Sequence, residues 1–156
     1  MMGDWPGGMP PFLARVEGGE FEGWYTLVDA PNFAQFAGPF YFSFDEEDNA
    51  PVAAMALAAH HQNLGGTGHG GALMTFVDMA AFHTITPEVP DWKAVTVGVS
   101  CDFVGAGPIG GVLRCKGEIL RAGGRSLFTR GLVTAAGAPV LNWSAHLMRM
   151  PTKGRG

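Results

Sequence analysis

Cysteine is scarce in this chain of 156 residues: Cys101 and Cys115 are the only two, and neither has further ligand-type residues at metal spacing around it. That excludes a disulfide-stapled scaffold and a cysteine-based zinc module, and leaves two reduced core thiols on strands. Basic residues are nearly missing from the first 92 positions, where Arg15 stands against twelve acids for a net −11. Residues 93–156 reverse the balance, with nine basic residues against two acids for a net +7. An overall charge of −4 argues against a general nucleic-acid binder. The basic half leaves two readings open. Arg114, Lys116, Arg121, Arg125 and Arg130 either solvate the outer face of a sheet or serve one phosphorylated small ligand.

Long apolar runs are also lacking. No window reaches the roughly 18 uninterrupted apolar residues that a membrane span needs. The opening Met1-Met-Gly-Asp-Trp-Pro-Gly-Gly has no basic segment followed by an apolar one, so no export signal is read there. The expectation is a cytoplasmic protein with neither membrane nor nucleic acid as partner. Apolar residues make up 47% and charged residues 15%, the balance of a globular domain with a real core. No internal repeat is visible.

What the chain does have is concentrated in residues 61–78. A polar loop with glycines at 65, 66, 68, 70 and 71 runs into Ala72-Leu-Met-Thr-Phe-Val-Asp-Met-Ala-Ala-Phe82, which is rich in helix formers. Glycines let backbone N–H groups approach a ligand, and a helix N-terminus adds unpaired donors and the positive end of a dipole. Such a place stabilises an oxyanion.

Asp78 lies in that apolar helix beside Met74, Thr75, Ala81 and Phe82. Burying an unpaired carboxylate is costly, so a chain that does it has a use for the group or a hidden partner. The bland alternative is a partly wet helix edge. The glycine-rich start just upstream tips the reading toward use. Gly70 and Asp78 are about 12 Å apart along the helix and about 80° from eclipsed, so one reacting carbonyl could hardly meet both. Two antiparallel copies of the helix would solve this, which predicts a composite site in a two-fold dimer.

Elsewhere the pattern reads as follows. Residues 1–34 form a Gly- and Pro-rich irregular arm, with Trp5 and Trp24 as candidate anchors and a short helix over 30–38 at its end. Strands are predicted at 40–45 and 52–57, and the long helix runs from about Gly70 to Thr84. Val95, Val97, Val99, Cys101 and Phe103 alternate strictly with polar or small residues, a strand of period two. Val112–Arg121 and Ser126–Thr134 form a hairpin, and Val140–Met148 a last strand after a turn at 137–139. Short links imply antiparallel pairing. The prediction is an α+β domain over 35–150, with five to six strands wrapping one central helix, and a disordered tail over 151–156.

The run His61-x-Asn63-x-x-Gly66-x-x-His69-Gly70-Gly71, with Asp78 seven positions on, resembles the hotdog-fold acyl-CoA thioesterases of the phenylacetate-degradation (PaaI-like) group. The resemblance covers residues 35–149 and includes the Gly124-Arg125 turn. It implies hydrolysis of a small or medium acyl-CoA, aromatic groups included, by a homodimer or homotetramer, with CoA as part of the substrate and no separate cofactor. By the same resemblance, Asn63 holds the thioester carbonyl or orients water, and the Gly70 N–H is the oxyanion donor. The partner's copy of Asp78 is then general base or nucleophile, Thr96 assists from the polar face of its strand, and His69 braces the loop. Gly124 and Arg125 lie near the nucleotide of CoA. Gly105 and Ala106 depart from the family's basic residue and proline, and Gly98 and Gly111 stand where acids are common, which bears on CoA docking.

Rival readings fare worse. Gly66-Thr-Gly-His-Gly-Gly71 matches a dinucleotide fingerprint, but hairpins follow it where repeated βαβ units are needed. His69 and His83 would stand about 21 Å apart on one helix, too far to share a metal, and no cysteine cluster supports zinc. His146 reads as structural. An acyl thioester dehydratase or a non-hydrolytic acyl-CoA binder would keep the fold. A dehydratase is expected to use a histidine on the helix, where this chain is read as burying Asp78.

Overall fold

Glycine and asparagine punctuate the start of the domain, and the elements fall between them. The computed structural model describes residues 4–29 and 32–151, which contain two α-helices, α1 (Phe33–Ala37) and α2 (Gly70–Thr84). Asn32 caps α1 by accepting from the Gln35 N–H, and Gly38 ends it. Its predicted first residue, Ala30, lies outside the described residues, as does the tail beyond Pro151. The strands are β1 (Leu13–Arg15), β2 (Tyr25–Leu27), β3 (Phe40–Phe44), β4 (Pro51–Ala56), β5 (Ala94–Phe103), β6 (Val112–Ala122), β7 (Ser126–Ala135) and β8 (Ala138–Arg149).

All eight join one antiparallel sheet in the order β1-β2-β3-β4-β6-β7-β8-β5. The expected five to six strands were too few. The difference is the arm: β1 and β2 pair with each other, and Tyr25 and Thr26 then pair with Phe42 and Tyr41 of β3. Three-residue strands among glycines carry almost no periodic signal, so only the tertiary pairing reveals them. Trp5 explains why the arm stays down. Its ring is 3% exposed, stacks on His83 and donates from Nε1 to the Pro90 carbonyl. The β7–β8 turn is Ala136-Gly137, both at positive φ, so β8 begins two residues before the predicted Val140.

α2 packs across one face of the sheet. Leu73, Phe76, Val77, Ala80 and Ala81 are buried against it, with Phe76 stacked on Phe40 of β3. Two glycines make room. A Cβ on Gly117 would collide with the Thr84 side chain, and one on Gly131 would stand 2.7 Å from the Trp143 ring. Trp143 is 1% exposed and donates to the Cys115 sulfur, whose thiol is pushed up to about 12 by burial. Both cysteines are free.

Candidate active site

The loop before α2 is held by its own side chains. Asn63 Oδ1 accepts from the N–H groups of Gly65 (2.8 Å) and Thr67 (3.1 Å), and its Nδ2 donates to Thr67 Oγ1. Asn63 is therefore a brace of the loop, a task the sequence reading gave to His69. His69 does help: as N-cap of α2 its Nδ1 accepts the Gly71 N–H at 2.9 Å. That leaves the neighbouring Gly70 N–H, first donor of the helix, without an acceptor among the described residues. A Cβ at Gly70 would meet the Phe103 ring at 3.5 Å, so an aromatic edge flanks the open amide.

Asp78 sits two turns further along, half-buried, and its Oδ1 accepts from Thr96 Oγ1 at 2.6 Å. The expectation of a carboxylate sunk in an apolar helix needs correcting. The wholly buried titratable group of α2 is His83, 0% exposed, with Nε2 bonded to the Ser43 carbonyl and Nδ1 to Thr86 Oγ1. Desolvation lowers its pKa to about 4, so it is a neutral core imidazole. The face of α2 that carries Asp78 also carries Met74, 44% exposed, and is open in the single chain.

Thr96 reaches Asp78 through a defect in β5. Phe103, Cys101 and Val99 pair with Leu141, Trp143 and Ala145, whose side chains point toward α2. Between Thr96 and Gly98 the register shifts, so Thr96 pairs with Leu147 on that same inner face and Val95 with Met148 on the outer. One extra residue in a strand swaps the faces of everything beyond it. The strict alternation predicted over 95–103 fails at Val97, and the failure puts a hydroxyl on the carboxylate. β5 is also an edge strand, and Val95, Val97 and Phe103 remain 42%, 53% and 49% exposed.

The remaining predicted positions lie apart from this group. Gly124 and Arg125 form the exposed β6–β7 turn, where Arg125 touches the Met148 sulfur. Arg114 pairs with Glu20, Lys116 with Asp45 and Asp48, Arg130 with Glu118, and Arg149 with Glu88. Among the described residues, Arg121 and Arg125 have no carboxylate partner. His146 stacks on Phe128 and bonds Ser126 Oγ, a structural place as expected. No group of three His, Cys, Asp or Glu side chains stands together for a metal among the described residues.

A single long helix wrapped by an antiparallel sheet, with an open amide at its start, is the arrangement of the hotdog fold. Residues 65–140 match the family model of the thioesterase superfamily. The Pseudomonas aeruginosa protein PA0474, which carries an esterase name, is 31% identical over 108 residues, 69% of this chain and 80% of that one. Two solved structures share the fold. A hypothetical thioesterase of Streptococcus pneumoniae with coenzyme A gives a TM-score of 0.63 at 19% identity, covering 78% of this chain and 97% of that one. A mutant of the phenylacetic acid degradation protein PaaI of Thermus thermophilus gives 0.64 at 22% identity, covering 76% and 98%. The chain belongs to the thioesterase superfamily and is a thioester hydrolase.

Proposed function

We propose that the chain hydrolyses acyl-CoA in a site shared by two antiparallel protomers of a dimer. The observation that carries this reading is the pairing of an unclaimed Gly70 N–H with a Thr96-anchored Asp78 on the open side of α2. About 12 Å of helix separates them within one chain. β5 runs antiparallel to α2, with Phe103 beside Gly70 and Thr96 beside Asp78, and its free edge offers a full row of backbone donors and acceptors to a second β5. Pairing there would cover Val97 and Phe103 and bring each Asp78 toward the partner's Gly70.

In this reading the Gly70 N–H receives the thioester carbonyl. Asp78 of the other protomer takes a proton from water, and the water oxygen bonds to the carbonyl carbon. The oxyanion then collapses, the C–S bond breaks, and the proton passes to the CoA sulfur. Direct attack by Asp78 is the nucleophilic variant. Thr96 fixes Oδ1, leaving Oδ2 for the water. Asn63 and His69 hold the loop, and a second N–H of the Asn63 amide can still face the carbonyl. Gly124 and Arg125 serve the nucleotide end, where Arg121 and Arg125 lack carboxylate partners among the described residues. No cofactor beyond the substrate's own CoA is called for, and the cytoplasm supplies such substrates.

A dehydratase would need an imidazole facing substrate, and the one inside α2 is sealed in the core. Thiol release from a panel of aliphatic and aromatic acyl-CoAs tests the reading and sorts small from medium and aromatic acyl groups. Hydrolysis of at least one member supports it; a dimer that leaves every ester intact points to a binder.

A further inference from the structure

His61 is 4% exposed, yet it lies in the polar turn that opens the glycine loop, between the exposed His60 and Gln62. Both ring nitrogens are committed. Nδ1 accepts the Ala58 N–H at 2.9 Å, so the ring proton sits on Nε2, which donates to the Ala37 carbonyl at 2.7 Å. Ala37 is the last residue of α1, a helix with no buried residue that carries Phe33 and Phe36 outward at 68% and 81% exposure. The backbone of His61 adds two more bonds: its N–H donates to the Ala58 carbonyl at 3.0 Å, and its carbonyl accepts the His69 N–H at 2.7 Å. His69 immediately precedes Gly70, and its own ring holds the next N–H along.

The loop is thus closed like a clasp. Asn63 N–H to Thr67 carbonyl forms an inner rung at 2.8 Å, Gln62 faces Gly68, and the His69–His61 bond shuts the mouth. A ring that both accepts from Ala58 and donates to Ala37 has no lone pair left for proton transfer. Its contribution can only be geometric.

We propose that His61 is a positioning residue: the two bonds of its ring and the one its carbonyl accepts from His69 set the Gly70 amide against the reacting carbonyl and make that setting depend on α1 being seated. The proposal rests on the Gly70–Asp78 reading above. An oxyanion donor works only when it is aimed at the position of the developing charge, so slack in the clasp weakens the transition state and leaves substrate binding alone.

The two ring nitrogens can be tested separately. Glutamine places an amide where Nε2 stands and can still donate to Ala37; asparagine places an oxygen where Nδ1 stands and can accept only from Ala58. Using the best substrate of the acyl-CoA panel, well below each variant's melting temperature, His61→Ala is expected to lose at least tenfold in kcat with KM within about threefold. His61→Gln should recover most of that loss, and His61→Asn should stay low. A folded His61→Ala with unchanged kcat, a loss carried by KM, or recovery by asparagine and not glutamine would each overturn the proposal. Should His61→Ala fail to fold, the glutamine and asparagine pair decides alone. Asp78→Asn run alongside separates the causes: if it is inactive while His61→Ala is normal, only the positioning role fails. If it turns over normally, the underlying site is wrong and this role goes with it.

Discussion

Asp78 and His83 are five residues apart on one helix and have opposite fates. Asp78 faces the open side, where Thr96 donates to one oxygen and leaves the other free. Replacing Asp78 by Asn keeps its size and removes the base, so kcat should fall by about 10² or more with the fold intact; unchanged turnover in the folded protein would remove Asp78 from the reaction. His83 is neutral because burial lowers its pKa from 6.5 to about 4. Unfolding releases it to an ordinary imidazole, so between those two values the unfolded state binds more protons. Stability then falls as pH drops from about 6.5 toward 4 and is fully present above that window. Unfolding midpoints between pH 7.5 and 4 should show this slope. His83→Gln, which cannot titrate, should flatten it even if its stability at pH 7.5 is lower; an equal slope would assign the acid sensitivity elsewhere.

At the scale of elements, the sequence spelled out α2 and the hairpins because both carry strong local signals. Alternating apolar residues mark β6 to β8, and the glycine-to-apolar switch at residue 70 marks the helix start. Two things were hidden. β1 and β2 are short pieces stabilised by pairing and by Trp5, and the bulge at Val97 leaves no mark in a run that alternates perfectly. The candidate site was proposed from the sequence as a set of residue types, Asn63, His69, Gly70, Asp78 and Thr96. Which of them brace the loop and which stay free depended on side-chain bonds that spacing does not encode. His61 heads the motif but has no role in the sequence reading, because its ring bonds to backbone groups of Ala37 and Ala58. The close approach of α2 to the sheet makes its own prediction. Gly117→Ala would drive a methyl into Thr84, costing about 1–3 kcal/mol by overpacking, read as a lowered denaturation midpoint. The β6–β7 turn predicts differently. Arg125→Ala should raise KM for CoA esters severalfold while leaving esters of a short thiol without the nucleotide unaffected; equal effects on both would deny it a role at the nucleotide.

On the scale of the whole molecule, the proposed hydrolysis requires two chains sharing one site. Gly70 permits a direct test. It is the first residue of α2, His69 before it has extended φ −65° and ψ 135°, and a Cβ there meets only ordinary contact with Phe103. Proline fits such a position and replaces the N–H by a ring carbon, so the donor is lost. Gly70→Pro and Asp78→Asn homodimers should therefore both be inactive while folded. Mixed dimers, isolated by two different affinity tags, contain one site with an intact Gly70 and the intact Asp78 of the other chain, and one site with neither. The predicted result is about half the wild-type turnover per dimer. Mixed dimers as inactive as their parents would contradict the shared site, because a site within one chain would be damaged in both protomers.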